Sequence, residues 1–138
     1  MNAVAAGMGS VKVRAKVWNI ENPELSREVE LLAGTGAIYT VLPSSLLKEL
    51  NIRAIGKRKF KLANNRVVER DVGLMGIEVE GRFTHTVVVF GEEGVYLLGV
   101  TTLEELGFRG RSREGGSSAY GVAPDVRQKV LNRVLHRW

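Results

Sequence analysis

A small, mainly β domain closed into a barrel or sandwich is the fold class this sequence predicts, on three observations. About six or seven short runs rich in Val, Ile, Phe and Thr fill residues 11–100, several of them alternating apolar with polar side chains. Only two stretches in residues 11–108 carry helical spacing, so the strands are not joined by the crossover helices of βαβ units. Turn residues, among them Asn22-Pro23, Asn64-Asn65 and Gly81, punctuate the runs. At 138 residues the chain should withdraw roughly two thirds of its unfolded surface from water, enough for a core without metal or disulfide.

The first run, VKVRAKVW (11–18), places Val11, Val13, Ala15 and Val17 on one face and Lys12, Arg14, Lys16 and Trp18 on the other, the pattern of a half-buried strand. NIENPELS reads as a turn, and REVELLA (27–33) as a second strand whose end is apolar enough to be buried on both faces. After GTGAIYTVLP, Pro43 suits a first helical turn and Leu46, Leu47 and Leu50 share a face, which predicts a helix of about two turns. RKFKLA (58–63), VVERDVGLMGIEVEG (67–81) and RFTHTVVVF (82–90) are β-rich, with hairpin turns at Asn64-Asn65 and Gly81. VYLLGV (95–100) reads as a short closing strand. In TTLEELGF, Thr101 and Thr102 each precede a Glu by three residues and Gly107 follows, so a short capped helix is expected there.

Beyond this body, residues 109–121 have the Gly, Ser and Arg composition of a linker. Residues 122–138 then repeat Val126, Val130, Val134 and Trp138 every four positions, an amphipathic helix with a basic opposite face. Residues 1–10 read as a short disordered leader. They hold no Lys or Arg to begin a signal peptide, and no apolar run approaches a membrane span, so a cytoplasmic protein is expected.

Several chemistries are excluded by inventory. No cysteine means no thiol nucleophile, redox pair or cysteine zinc site, and His85 and His136 alone make a histidine metal site improbable. There is no GxxxxGK[ST], no third glycine after Gly34-Thr35-Gly36 to complete a dinucleotide fingerprint, and no GxSxG elbow. His85, in mid-strand, reads as an ordinary strand residue. The net charge of +5 is carried by the tail: Arg109, Arg111, Arg113, Arg127, Lys129, Arg133 and Arg137 stand against Glu114 and Asp125, while residues 1–106 balance. Any nucleic-acid or acidic-surface contact would therefore run through that tail, whose only aromatics are Tyr120 and Trp138.

Two separated motifs carry more specific information. Leu31, Leu32 and Ala33 run into Gly34-Thr35-Gly36-Ala37 and then Tyr39 to Pro43; some sixty residues later Leu97-Leu98-Gly99 leads into Leu103 to Phe108. This pairing resembles the retroviral-type (retropepsin-like) single-lobe aspartic proteases, including small bacterial and archaeal members, over about residues 10–108. The resemblance implies a closed acid-protease β-barrel, a homodimer and a polypeptide substrate, with water as the nucleophile and no cofactor or metal. It places residues 62–73 at the substrate-covering flap, with Ala37, Ala63, Asn64, Asn65, Arg66 and Val67 toward substrate. Thr35 would bond across the two-fold, Gly36 would permit the tight turn, and Leu97, Leu98 and Gly99 would close the core.

The departure lies at position 34, where the family's catalytic aspartate is replaced by glycine. Two carboxylates, one per subunit, share a proton in that chemistry and hold the attacking water. Glycine supplies neither acceptor nor proton. The only aspartates are Asp71 and Asp125, and no Glu lies between Glu30 and Glu49. Either Gly34 is an inactivating change in an endopeptidase, or it is the natural residue of a pseudoprotease that binds polypeptide without cutting it.

Overall fold

The computed structural model describes residues 10–62 and 64–108. Ala63, residues 1–9 of the expected leader, the expected linker and the expected C-terminal helix lie outside the described residues. Strand β1 (Val11–Asn19) pairs antiparallel with β2 (Asn22–Ala33), and Val13, Ala15 and Val17 are buried while Lys12, Arg14 and Lys16 face out. Alternation produces this because only one face of the hairpin meets the core.

The β2 strand begins five residues before the expected start at Arg27. The reason is Asn19: its side-chain oxygen accepts from the Glu21 and Asn22 N–H groups at 2.8 and 3.1 Å, so the chain reverses over Ile20 and Glu21 alone. Asn-Pro-Glu-Leu-Ser is then free to run as strand, exposed through Glu24 and half-buried at Leu25, which packs against the core, and at Ser26. A short β3 (Thr40–Pro43) feeds helix α1 (Ser44–Glu49), which buries Leu46 and Leu47; Pro43 stands as its N-cap, just before the helix rather than inside it.

Strands β4 (Gly56–Lys61), β5 (Val67–Val79) and β6 (Arg82–Gly91) form an antiparallel meander. Its second turn places Glu80 and Gly81 at φ of 55° and 81°, the left-handed pair a two-residue hairpin requires. The last strand, β7 (Leu97–Leu98), is much shorter than the expected 95–100, because Val100 already begins helix α2 (Val100–Glu105). The expected threonine cap of α2 does not form: Gly99 is the N-cap, without a side-chain bond, and Thr102 turns into the core.

The strand order is β1-β2-β7-β3-β6-β5-β4, and a further pairing of β1 with β5 closes six strands into a ring. β5 is long enough to serve two partners, its first half lying against β4 and Gly76 to Glu78 lying against β1. Gly76 makes the second contact feasible, since a Cβ there would fall within the Trp18 indole. Leu31, Leu42, Leu47, Met75, Ile77, Leu98, Leu103 and Phe108 fill the interior. Among the described residues no helix is long and apolar enough to cross a membrane.

Candidate functional site

Strand β7 slots between β2 and β3, parallel to the first and antiparallel to the second, so the 34–39 loop that joins β2 to β3 must pass over the end of β7. Backbone bonds fix that crossing. Leu32 donates to the Tyr96 carbonyl at 2.9 Å, and the Val100 and Thr101 N–H groups at the start of α2 donate to the Ala37 and Ile38 carbonyls at 3.0 Å each. Gly99 passes so near the loop that a Cβ on it would lie 2.3 Å from the Tyr39 carbonyl carbon and 2.6 Å from the Ile38 oxygen.

A buried hydroxyl chain secures the same crossing from below. The Gly99 N–H donates to Thr40 Oγ1 at 3.0 Å; Thr40 meets Thr102 at 2.7 Å, and Thr102 meets Thr86 at 2.8 Å. β3, β6 and α2 are thereby tied through three hydroxyls shut off from water. Within the loop, Gly34 and Gly36 have φ of 88° and 93°, in the left-handed region that favours glycine. Thr35 Oγ1 accepts from the Ala37 N–H at 3.3 Å, which closes a local turn and leaves the threonine proton uncommitted by that bond.

One wall of a groove of about 760 Å³ is this loop, through Gly36, Ala37, Ile38 and Tyr39. The β4–β5 hairpin supplies the facing wall with Arg58 to Leu62, Val68 and Arg70, and Val41, Val89, Val95 and Leu97 line it between them. The volume suits a few residues of extended chain, and an aliphatic lining with polar groups at its margin suits side-chain capture. Of the residues singled out from sequence, Gly36, Ala37 and Leu97 line the groove. Gly34 and Thr35 sit one step back along the loop, Leu98 and Gly99 are buried beneath it, and Asn64, Asn65, Arg66 and Val67 are exposed at the hairpin tip, outside its lining. The tip itself is a turn in which Asn65 takes a φ of 68° and Asn64 Oδ1 accepts from the Arg66 N–H.

Arg58, Phe60, Arg70 and Glu92 are groove residues that sequence reasoning passed over, and Tyr39 stood in the first motif without a binding role. Tyr39 and Phe60 meet edge to face at 6.3 Å, and Arg58 donates to the Tyr39 hydroxyl at 3.0 Å while lying 5.5 Å over its ring. Arg70 pairs with Glu92 at 3.1 Å. A signal was available in KRKFK, four cations around one aromatic, had its charge been weighed locally. Glu92 is the one carboxylate in the groove lining among the described residues. Asp71 is committed elsewhere, 3.2 Å from Lys57 across the β4–β5 pair. Among the described residues no three His, Asp or Glu side chains gather as a metal site would require.

No protein-family model matches the chain, and no curated protein matches it in sequence. Among solved structures it is similar to the solution structure of simian foamy virus (mac) protease, with a TM-score of 0.50 and 19% identity over 70% of this chain and 94% of that one. The fold is that of a retroviral protease. The 34–39 loop carries the Gly34-Thr35-Gly36-Ala37 run. The loop offers backbone groups and a threonine hydroxyl, and its residue 34 has no side chain. Such an arrangement can hold an extended ligand, but position 34 brings no acid or base to activate a water.

Proposed function

We propose that this protein is a polypeptide-binding domain of aspartic-protease fold, which works as a homodimer and holds an extended chain without hydrolysing it. The endopeptidase chemistry of the family would need a carboxylate at position 34 of each subunit, and two-fold symmetry brings glycine to both. The observation that carries this reading is the backbone at Gly34. Its φ of 88° is one that residues with side chains adopt only at a cost, so the loop is suited to the glycine it has. The foamy virus neighbour is a protease, and the groove of this chain, between loop and hairpin, has the size and lining for a peptide segment. Thr35 keeps its proposed place across the two-fold, because its local bond to Ala37 uses an oxygen lone pair and not the proton.

The test compares the chain with its Gly34→Asp variant, each incubated with an unstructured protein from acidic to neutral pH, with and without pepstatin. The unmodified chain should bind the protein and leave it intact, and sedimentation should show a dimer. The variant should cleave it in a pepstatin-sensitive way. Cleavage by the unmodified chain, or failure to bind any polypeptide, overturns the reading. A variant that is folded and dimeric yet inert removes the part that treats position 34 as the missing catalytic group.

A further inference from the structure

The polypeptide-cleft reading above leaves the class of polypeptide open, and the charge of one wall narrows it. Strand β4, GKRKFK, carries four cations in six residues and no acid. Across the pair, Arg58 stands directly opposite Arg70, and both line the groove. Like charges in register repel, and here each is held by a different neighbour, Arg58 by Tyr39 and Arg70 by Glu92. Lys59 and Lys61 border the groove along the strand, but they alternate with Arg58 and Phe60, so their side chains belong to the other face of the hairpin, on the side where Glu69 and Asp71 stand. Set against the two guanidinium groups on the groove face is the single carboxylate of Glu92.

We infer that the groove selects acidic polypeptide: an extended segment that places an apolar side chain against Val41, Val89 and Leu97 and flanks it with Asp or Glu. Carboxylates would relieve the Arg58–Arg70 repulsion. Val41, Val89, Val95 and Leu97 give an apolar side chain its aliphatic floor; Tyr39 and Phe60 also line the groove and are the platforms a nucleobase would use, so an oligonucleotide competitor belongs in the test. A plainer role for lysines on β4 is to deter strand pairing at the sheet's edge, since β4 pairs only with β5 among the described strands. That role makes no demand on ligand charge, so the two separate by experiment.

Three labelled peptides sharing one apolar centre, with Asp/Glu, Ser/Gln or Lys flanks, are titrated into the full chain and followed by fluorescence anisotropy at low and high salt. The acidic peptide should bind about fivefold tighter than the neutral one at low salt, as two partly exposed ion pairs allow, and salt should narrow the gap. The Arg58→Glu variant should reverse the order of acidic and basic peptides; if it fails to fold, Arg58→Gln should reduce the acidic preference. An acidic preference that both folded variants retain belongs to cations elsewhere in the chain, and overturns the inference. So does displacement of the acidic peptide by a single-stranded oligonucleotide as readily as by unlabelled peptide. Equal binding of acidic and neutral peptides removes this inference and leaves the polypeptide cleft standing. No binding of any peptide removes both.

Discussion

Gly99 and Gly34 are glycines for opposite reasons. Gly99 has an ordinary φ of −81°, so conformational freedom is not what position 99 requires. It requires space, because the atoms a Cβ would strike, in Ile38, Tyr39 and Thr40, are all backbone and cannot swing aside. Gly99→Ala should therefore cost about 3 kcal/mol or more, the upper range for forcing a methyl into a packed site, read as a lowered urea midpoint. At Gly34 the reverse holds: the φ of 88° is the constraint. Gly34→Asp should lower stability by roughly 1–2 kcal/mol through left-handed strain, and Gly34→Ala by a similar amount, measured by the same unfolding. If Gly34→Asp is as stable as the unmodified chain, the loop has refolded to a negative φ and the strain argument fails.

Elements are joined here by side chains whose importance is invisible in a hydropathy pattern. Asn19, buried at the end of β1, donates through Nδ2 to the Leu50 and Asn51 carbonyls at 2.8 and 2.9 Å, while its oxygen takes the Glu21 and Asn22 N–H groups. One side chain thus closes the β1–β2 turn and caps the C-terminal end of α1. Asn19→Ala should cost roughly 2–4 kcal/mol, since several partly buried backbone groups lose their partners. Asn19→Asp should be at least as damaging at neutral pH, because a carboxylate would face two carbonyls; a milder effect for Asp than for Ala, by urea unfolding, would count against this geometry. Thr102→Val should cost roughly 1–3 kcal/mol by stripping Thr40 and Thr86 of their shared partner. Thr102→Ser should recover most of it. The alternation of β1 was legible because one face meets water and the other the core. β7 was not, because two residues become a strand only through partners some sixty residues away, and Thr102 read as a cap because its spacing to Glu105 is local while its true partners are remote.

Over the whole molecule, charge balance misled where it was summed along the chain. Residues 1–106 are neutral in total, yet β4 and Arg70 gather cations on one groove wall while Glu24, Glu28 and Glu30 lie exposed on β2. The run KRKFK shows part of that segregation along the sequence; setting Arg70 beside it is the work of the strand pairing. The reach of the fold along the chain can be tested in the same spatial terms. Phe108 is fully buried; the Arg82 guanidinium lies 4.6 Å over its ring, and Arg82 Nη1 donates to the Gly107 carbonyl at 3.0 Å. Arg82 also opens β6, so this contact binds the last described residue to the central meander. A chain ended after Phe108 should keep the unfolding midpoint of the full chain to within about 1 kcal/mol, because it keeps every core residue among the described residues. One ended after Leu106 should lose roughly 3–5 kcal/mol, the penalty for emptying a buried Phe site. Circular dichroism during urea unfolding of the two truncated chains distinguishes them. Equal stability would mean that Phe108 is not part of the core, whereas a large loss in the longer one would place essential packing in residues 109–138.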